Sequence, residues 1–192
     1  MRFENKYKEL MEAAANLPPP TQPPAVVFQM PQYRTQFQVT DDFVNYIARV
    51  ENGIKKGLVN NKWYPHKSVE GGTDTIAYGH KLQPGEDFRM GLTQQQAMEL
   101  LKKDIQVAVN RAQTIVNKVY GQGSWEKLDN TKKEMLVDFA FNGVLSKFPK
   151  FLEGVVLNLP NQMKAQYKRY ANGKEMTDRN SQFANRYLQV LP

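Results

Sequence analysis

The sequence predicts an α+β fold: a small β-hairpin lobe and a mainly helical C-terminal lobe joined by a long helix. Three observations predict the α+β arrangement. Short β-prone pieces alternate with turn residues over 58–85; a capping signature, Thr93-Gln94-Gln95-Gln96, opens a long stretch of helical spacing; and residues 135–141 (MLVDFAF) form an apolar segment among shorter helical stretches. The order helix, small sheet, long helix and then a helical bundle is an α+β arrangement, not an alternating α/β order.

Residues 1–16 (MRFENKYKELMEAAAN) place Phe3, Tyr7, Leu10 and Met11 at helical spacing, which predicts a short amphipathic helix. Residues 17–24 (LPPPTQPP) form a polyproline stiffener, and 25–40 show no clear periodicity. Residues 1–40 are therefore expected to be an N-terminal helix and Pro-rich extension, and 41–192 the folded domain. The extension reads equally as a dock onto a larger assembly and as a poorly ordered extension with no role of its own.

From residue 41 the pattern is orderly. Asp41 and Asp42 suit a helix N-terminus, Phe43, Val44, Ile47, Val50 and Ile54 mark one apolar face, and Gly53 and Gly57 suggest its end. Lys62-Trp63-Tyr64 and residues 73–78 are the strand candidates, punctuated by Asn60-Asn61, Pro65, Gly71-Gly72 and Pro84-Gly85. After Thr93, Ala97, Leu101, Ile105, Ala108, Ala112, Ile115 and Val119 keep one face of a helix of roughly seven turns. Thr131-Lys132-Lys133-Glu134 reads as a second capping box, opening a central helix that ends at Asn142-Gly143. Shorter helices are expected near 148–159, 162–171 and 179–188.

A chain of 192 residues, 41% hydrophobic and 11% aromatic, can bury one sizeable core. Without cysteine, disulfides, thiolate catalysis and Cys-based zinc sites are excluded, and with only His66 and His80 a metal would lean on carboxylates; no metal or cofactor is expected. The formal charge of +7 and pI near 9.5 favour an anionic partner: nucleic acid, anionic lipid or bacterial cell wall. No nucleic-acid recognition motif accompanies the charge, so nucleic acid is not expected. No apolar run approaches the ~20 residues of a membrane span and no signal-peptide core follows Met1, so a soluble cytoplasmic product without stable membrane insertion is expected.

Glu51 stands out. It follows Ile47 by one helical turn, at the margin of the apolar face, where partial desolvation favours the neutral carboxyl a general acid requires. A Glu in a last helical turn is ordinarily solvent-facing; the block Thr75-Ile76-Ala77-Tyr78-Gly79-His80 changes the reading. Strand alternation places Thr75, Ala77 and Gly79 on one face and Ile76 and Tyr78 on the other, so a hydroxyl can look into a cleft with room for a bulky polymer.

These residues resemble the phage-type lysozymes, which carry a Glu at a helix end, then an Asp, then a Thr opening a Thr-Ile-Gly-x-Gly-His block. The likeness continues through Leu92-Thr93 before the long helix, the apolar helix ending in Asn142-Gly143, and Asn185-Arg186 near the C-terminus. The resemblance implies a peptidoglycan-degrading muramidase acting on the β-1,4 bond between N-acetylmuramic acid and N-acetylglucosamine, with Glu51 as general acid, Thr75 as water-positioning residue and Arg186 beside the acid. With no signal-peptide core, a phage virion or a host cytoplasm is the expected location before the wall is met, and in the docking reading of residues 1–40 the partner is a virion or tail protein. His80 is expected to be structural.

The family's Asp is missing: its position holds Val69, and the interval from Glu to Thr is longer. Glu70, beside Gly71-Gly72, is the preferred second catalytic group; Asp74 should point to the opposite strand face from Thr75, and His66 with Ser68 forms an uncharged alternative. With no second carboxylate the protein would be a lytic transglycosylase using Glu51 alone, or a catalytically dead glycan-binding virion module. Trp63, Tyr78 and Arg186 are the candidates for substrate contact, with Tyr64 an alternative to Trp63 for stacking on a sugar. Lys102-Lys103 and Lys132-Lys133 are expected on solvated helix faces.

Overall fold

The computed structural model describes residues 37–67 and 74–191, which belong to the unit Arg34–Pro192. The helix expected at 1–16, the Pro-rich segment, Ser68 and Glu70 lie outside the described residues.

Helix α1 (Asp41–Asn52) is capped by Thr40, whose Oγ1 accepts the Phe43 N–H at 3.1 Å, and Asp41 and Asp42 occupy its positive end. Phe43, Val44, Tyr46 and Ile47 are buried. The helix stops earlier than the apolar spacing implied, and Ile54 is 87% exposed. The cause is Asn52: its side chain accepts the Lys56 N–H and donates to the Lys56 carbonyl, both at 2.9 Å, and Lys55 turns to φ 54°. Such a local side-chain bond competes with continued helix.

Strands β1 (Leu58–Val59) and β2 (Lys62–Trp63) form a hairpin whose two turn residues, Asn60 and Asn61, both take positive φ. A separate antiparallel sheet runs β3 (His66–Lys67), β4 (Asp74–Ile76), β5 (His80–Lys81), with His66 opposite Thr75 and Ile76 opposite His80. The expected alternation holds only as far as Ile76. Ala77 turns to φ 53° and Gly79 to φ 89°, so residues 77–79 are a turn and have no strand face to share with Thr75.

Helix α2 (Gln94–Tyr120) has the predicted capping box of Thr93 and Gln96 and buries Ala97, Leu101, Ile105, Ala108 and Ala112. Helix α3 (Asn130–Phe141) is capped by Asp129, which accepts the Lys132 N–H at 2.8 Å, and not by Thr131 as the sequence suggested. It is central as expected, with Met135, Leu136, Val137, Phe139 and Ala140 buried. Lys133 is buried too, its ammonium 5.8 Å from the Trp125 ring centre, which corrects its assignment to a solvated face.

Helices α4 (Pro149–Val156) and α5 (Pro160–Gln166) each begin with proline, which needs no N–H there. Where helix was expected to continue to 171, the chain forms a hairpin, β6 (Tyr170–Ala171) with β7 (Lys174–Glu175), around Asn172-Gly173 at φ 50° and 76°. Helix α6 (Thr177–Phe183) follows and widens into a π-turn, Ala184–Leu188. The core of this lobe is aromatic: Phe139 stacks on Phe151 at 4.2 Å between ring centres and meets Phe148 and Phe183 edge-on. Each such ring contributes about 1.5–3 kcal/mol by burial.

Candidate active site

Glu51 sits in the last turn of α1, and the residue after it fixes where that turn ends. Asn52 Nδ2 donates to the Ala77 carbonyl at 2.6 Å, tying the helix end to the turn at 77–79. The carboxyl then lies against the turn: a Cβ built on Gly79 would be 3.9 Å from Glu51 Oε2. The two features that the sequence marked, the helix-end Glu and the TIAYGH block, are brought together.

The Glu51 side chain is 17% exposed, and Arg179 Nη1, from α6, donates to its Oε1. Arg179 also donates through Nη2 to Asp138 Oδ1 at 2.5 Å. The other oxygen of Asp138, Oδ2, accepts from Arg169 Nη2 at 3.2 Å and from the Tyr46 hydroxyl at 3.0 Å. Asp138 is fully buried on α3, so four elements converge on one ionic network behind the acid. Burial pushes the Glu51 carboxyl above the usual carboxylate range, with Arg179 pulling against it. Burial acts on Asp138 as well, but the guanidiniums of Arg169 and Arg179 outweigh it and hold that carboxyl down, hence ionised.

Arg186, expected beside the acid, is elsewhere. It pairs with Asp42 at 2.7 Å and Glu134 at 2.9 Å and lies over the Tyr46 and Tyr187 rings. Arg179 takes the place beside Glu51. Trp63 is fully buried, stacked at a tilt on Tyr78 with 5.0 Å between ring centres, and its Nε1 donates to Gln94 at 2.9 Å. Tyr78 is buried as well, its hydroxyl accepting from Gln94 Nε2 at 2.8 Å. In this arrangement both rings build the lobe's core and neither presents a face to a sugar. Tyr64 packs on Gly91, where a Cβ would meet its ring at 2.9 Å.

Thr75 is 5% exposed and its hydroxyl donates to the His66 carbonyl at 3.3 Å, so it faces the neighbouring strand. Asp74 is exposed and pairs with Lys67 at 3.0 Å. His80 clamps three pieces of chain: Nδ1 meets Asp104 of α2 at 3.0 Å and Nε2 meets Glu86 at 2.9 Å. Burial alone would lower its affinity for a proton, but the two carboxylates prevail and raise it.

Sequence reasoning missed Asn52, Asp138, Arg169 and Arg179. A signal for one existed: Asp138 is the lone charge in the apolar run 135–141, and a buried carboxylate needs a cationic or hydrogen-bonding partner. Nothing in the spacing told which arginine that was.

A carboxylate on a helix end, facing a short-stranded turn and backed by a helical lobe, is a lysozyme-like arrangement. Residues 56–180 match the family described as phage lysozyme, and the chain belongs to that family. Among solved structures, the fold is similar to the muramidase domain of SpmX from Asticaccaulis excentricus, at 19% identity and a TM-score of 0.53, over 82% of this chain and 100% of that one. Comparison with curated proteins finds no match.

Proposed function

We propose that the chain is a peptidoglycan-degrading glycosidase, a muramidase that cleaves the β-1,4 bond between N-acetylmuramic acid and N-acetylglucosamine with Glu51 as general acid. The observation that carries the reading is the state of Glu51: a carboxyl mostly withdrawn from water, raised in proton affinity by burial, and placed at the margin of the strand lobe. Family membership supports peptidoglycan as the substrate. Once Glu51 has given its proton to the glycosidic oxygen, Arg179 holds the carboxylate that is left. The protonated form is the active one, so the rate falls as pH rises through the raised Glu51 value.

Glu51→Gln keeps an oxygen for Arg179 but has no proton to give. Activity on purified peptidoglycan, followed as released reducing ends, should drop about 10²–10⁴-fold with the melting temperature retained. An equally active variant would sink the reading.

A second reading is favoured by the described carboxylates. Asp138 is fully buried behind Glu51, and Asp74 stands at the exposed surface beside Lys67, so neither is assigned as a nucleophile or base on the far side of the sugar. If Glu70 does not act there either, Glu51 works alone and the product is an anhydro sugar in place of a reducing end; a glycan-binding module would yield neither. We further propose that residues 1–40 form an extension that docks a particle or tail protein, tested by comparing virion association of the full chain with that of the chain from residue 41.

A further inference from the structure

Arg179 stands between two carboxylates and divides its guanidinium between them. Nη1 goes to Glu51 and Nη2 to Asp138, while its Nε, though buried, has no hydrogen-bond partner among the described residues. An arginine facing one carboxylate alone tends to grip it with two parallel N–H bonds, and that grip favours the ionised acid. Here the second prong is taken by Asp138. Asp138 in turn has Arg169 at 3.2 Å and Tyr46 at 3.0 Å, two partners besides Arg179.

We propose that Asp138 is a positioning residue for Glu51: it engages one Nη of Arg179 and balances the cation's charge, so that Glu51 meets a single-pronged, partly neutralised guanidinium and can keep its proton until substrate arrives. The proposal rests on Glu51 being the general acid. The groups packed around the pair are Arg179 from α6, Arg169 from the segment before β6, Tyr46 from α1 and Tyr187 from the π-turn; burial holds both tyrosines neutral, and the two arginines are the cations to be balanced. Asp138 is the one buried carboxylate set against them besides Glu51 itself among the described residues.

The sign of each perturbation follows. In Asp138→Asn, Arg169 and Arg179 both act on Glu51 without an opposing charge and Arg179 is free to grip with two prongs; Glu51 should then release its proton more readily. In Arg169→Met, one cation is removed while Asp138 retains Arg179 and Tyr46, and the thioether chain keeps contact with the Phe139 and Phe183 rings that Arg169 covers at 4.3 and 5.1 Å; Glu51 should hold its proton more tightly. A purely structural Asp138 predicts lower stability in both variants and no opposed response at Glu51.

The test is a carboxyl carbon-13 NMR titration of the full chain without substrate, with the Glu51 signal assigned by its loss in Glu51→Gln. The Glu51 midpoint is expected to fall by about one pH unit in Asp138→Asn, tenfold in proton affinity, and to rise by roughly half a unit in Arg169→Met. The alkaline limb of kcat/KM should move the same way in each. A midpoint that stays in place in either variant, or shifts the same way in both, overturns the proposal. If Asp138→Asn does not fold, Arg169→Met decides alone: a rise supports the proposal and no rise overturns it. Because the titration uses no substrate, it stands or fails separately from the muramidase reading, which Glu51→Gln activity decides.

Discussion

Glu51 is held from two sides built on different physics. Behind it, on the helical side, are Arg179, Asp138 and Arg169, nearly or fully buried and bonded charge to charge. In front of it, on the strand side, the turn at 77–79 is fastened by the Asn52 amide, Trp63 is fastened to Gln94 and to the backbone of Leu92, and His80 is fastened to two carboxylates nearer the surface. A buried ionic network resists solvent, salt and moderate pH change, but removing one member leaves an uncompensated charge. Short strands fastened mostly by neutral bonds and by a part-buried histidine lose less per bond and open locally at lower cost. The contrast implies that the proton affinity of Glu51 is set from the rear.

The contrast can be broken most severely at Arg179. Arg179→Met strands Glu51 and weakens Asp138, and should cost about 3–5 kcal/mol in urea unfolding, the range for breaking a buried pair. Asn52→Ala is the matching cut on the strand side. It removes the bond to the Ala77 carbonyl and should cost about 1–3 kcal/mol, while lowering kcat because the turn no longer stays registered against Glu51. Equal losses in the two variants would erase the distinction between the sides.

The smallest effect is expected at His80 and sharpens the comparison through pH. Its proton affinity is raised in the folded state, so the clamp's contribution is complete below the unfolded value of about 6.5 and fades as pH rises through the folded value. The melting temperature should therefore decline across that window in the wild type, and His80→Asn should flatten that part of the profile. An undiminished decline in the variant would place the sensitive group elsewhere.

Much of this was legible in the chain. Apolar spacing from Ala97 to Ala112 and the Thr93–Gln96 box specify α2 because both are local and helical. Glu51 and the TIAYGH block were legible as a pair, since short-range order and motif coincide there. What failed was the direction of side chains beyond a strand's end: Ile76 is the last strand residue, so Ala77 and Gly79 share no face with Thr75, whose hydroxyl meets the His66 carbonyl of the neighbouring strand. Trp63 was expected at the cleft mouth because it lies in an insertion, whereas the isolated bridge to Leu92 folds it inward. The arginine beside Glu51 was the hardest residue to read, because Arg179 and Arg186 both lie near the C-terminus and only tertiary packing separates them. The Asn172-Gly173 hairpin is a different kind of miss: the turn signal was present, and helical expectation across 162–171 overrode it.

Ala77 gives one of these features a wider meaning. It is a non-glycine residue in left-handed backbone, and its carbonyl is the one that Asn52 hooks at 2.6 Å. A conformation costing about 1–2 kcal/mol is thus secured in part by a bond from the residue next to Glu51. The hook is therefore a latch: one amide couples the end of the helix that carries Glu51 to a bent backbone two residues from Gly79, so a change at either end is felt at the other.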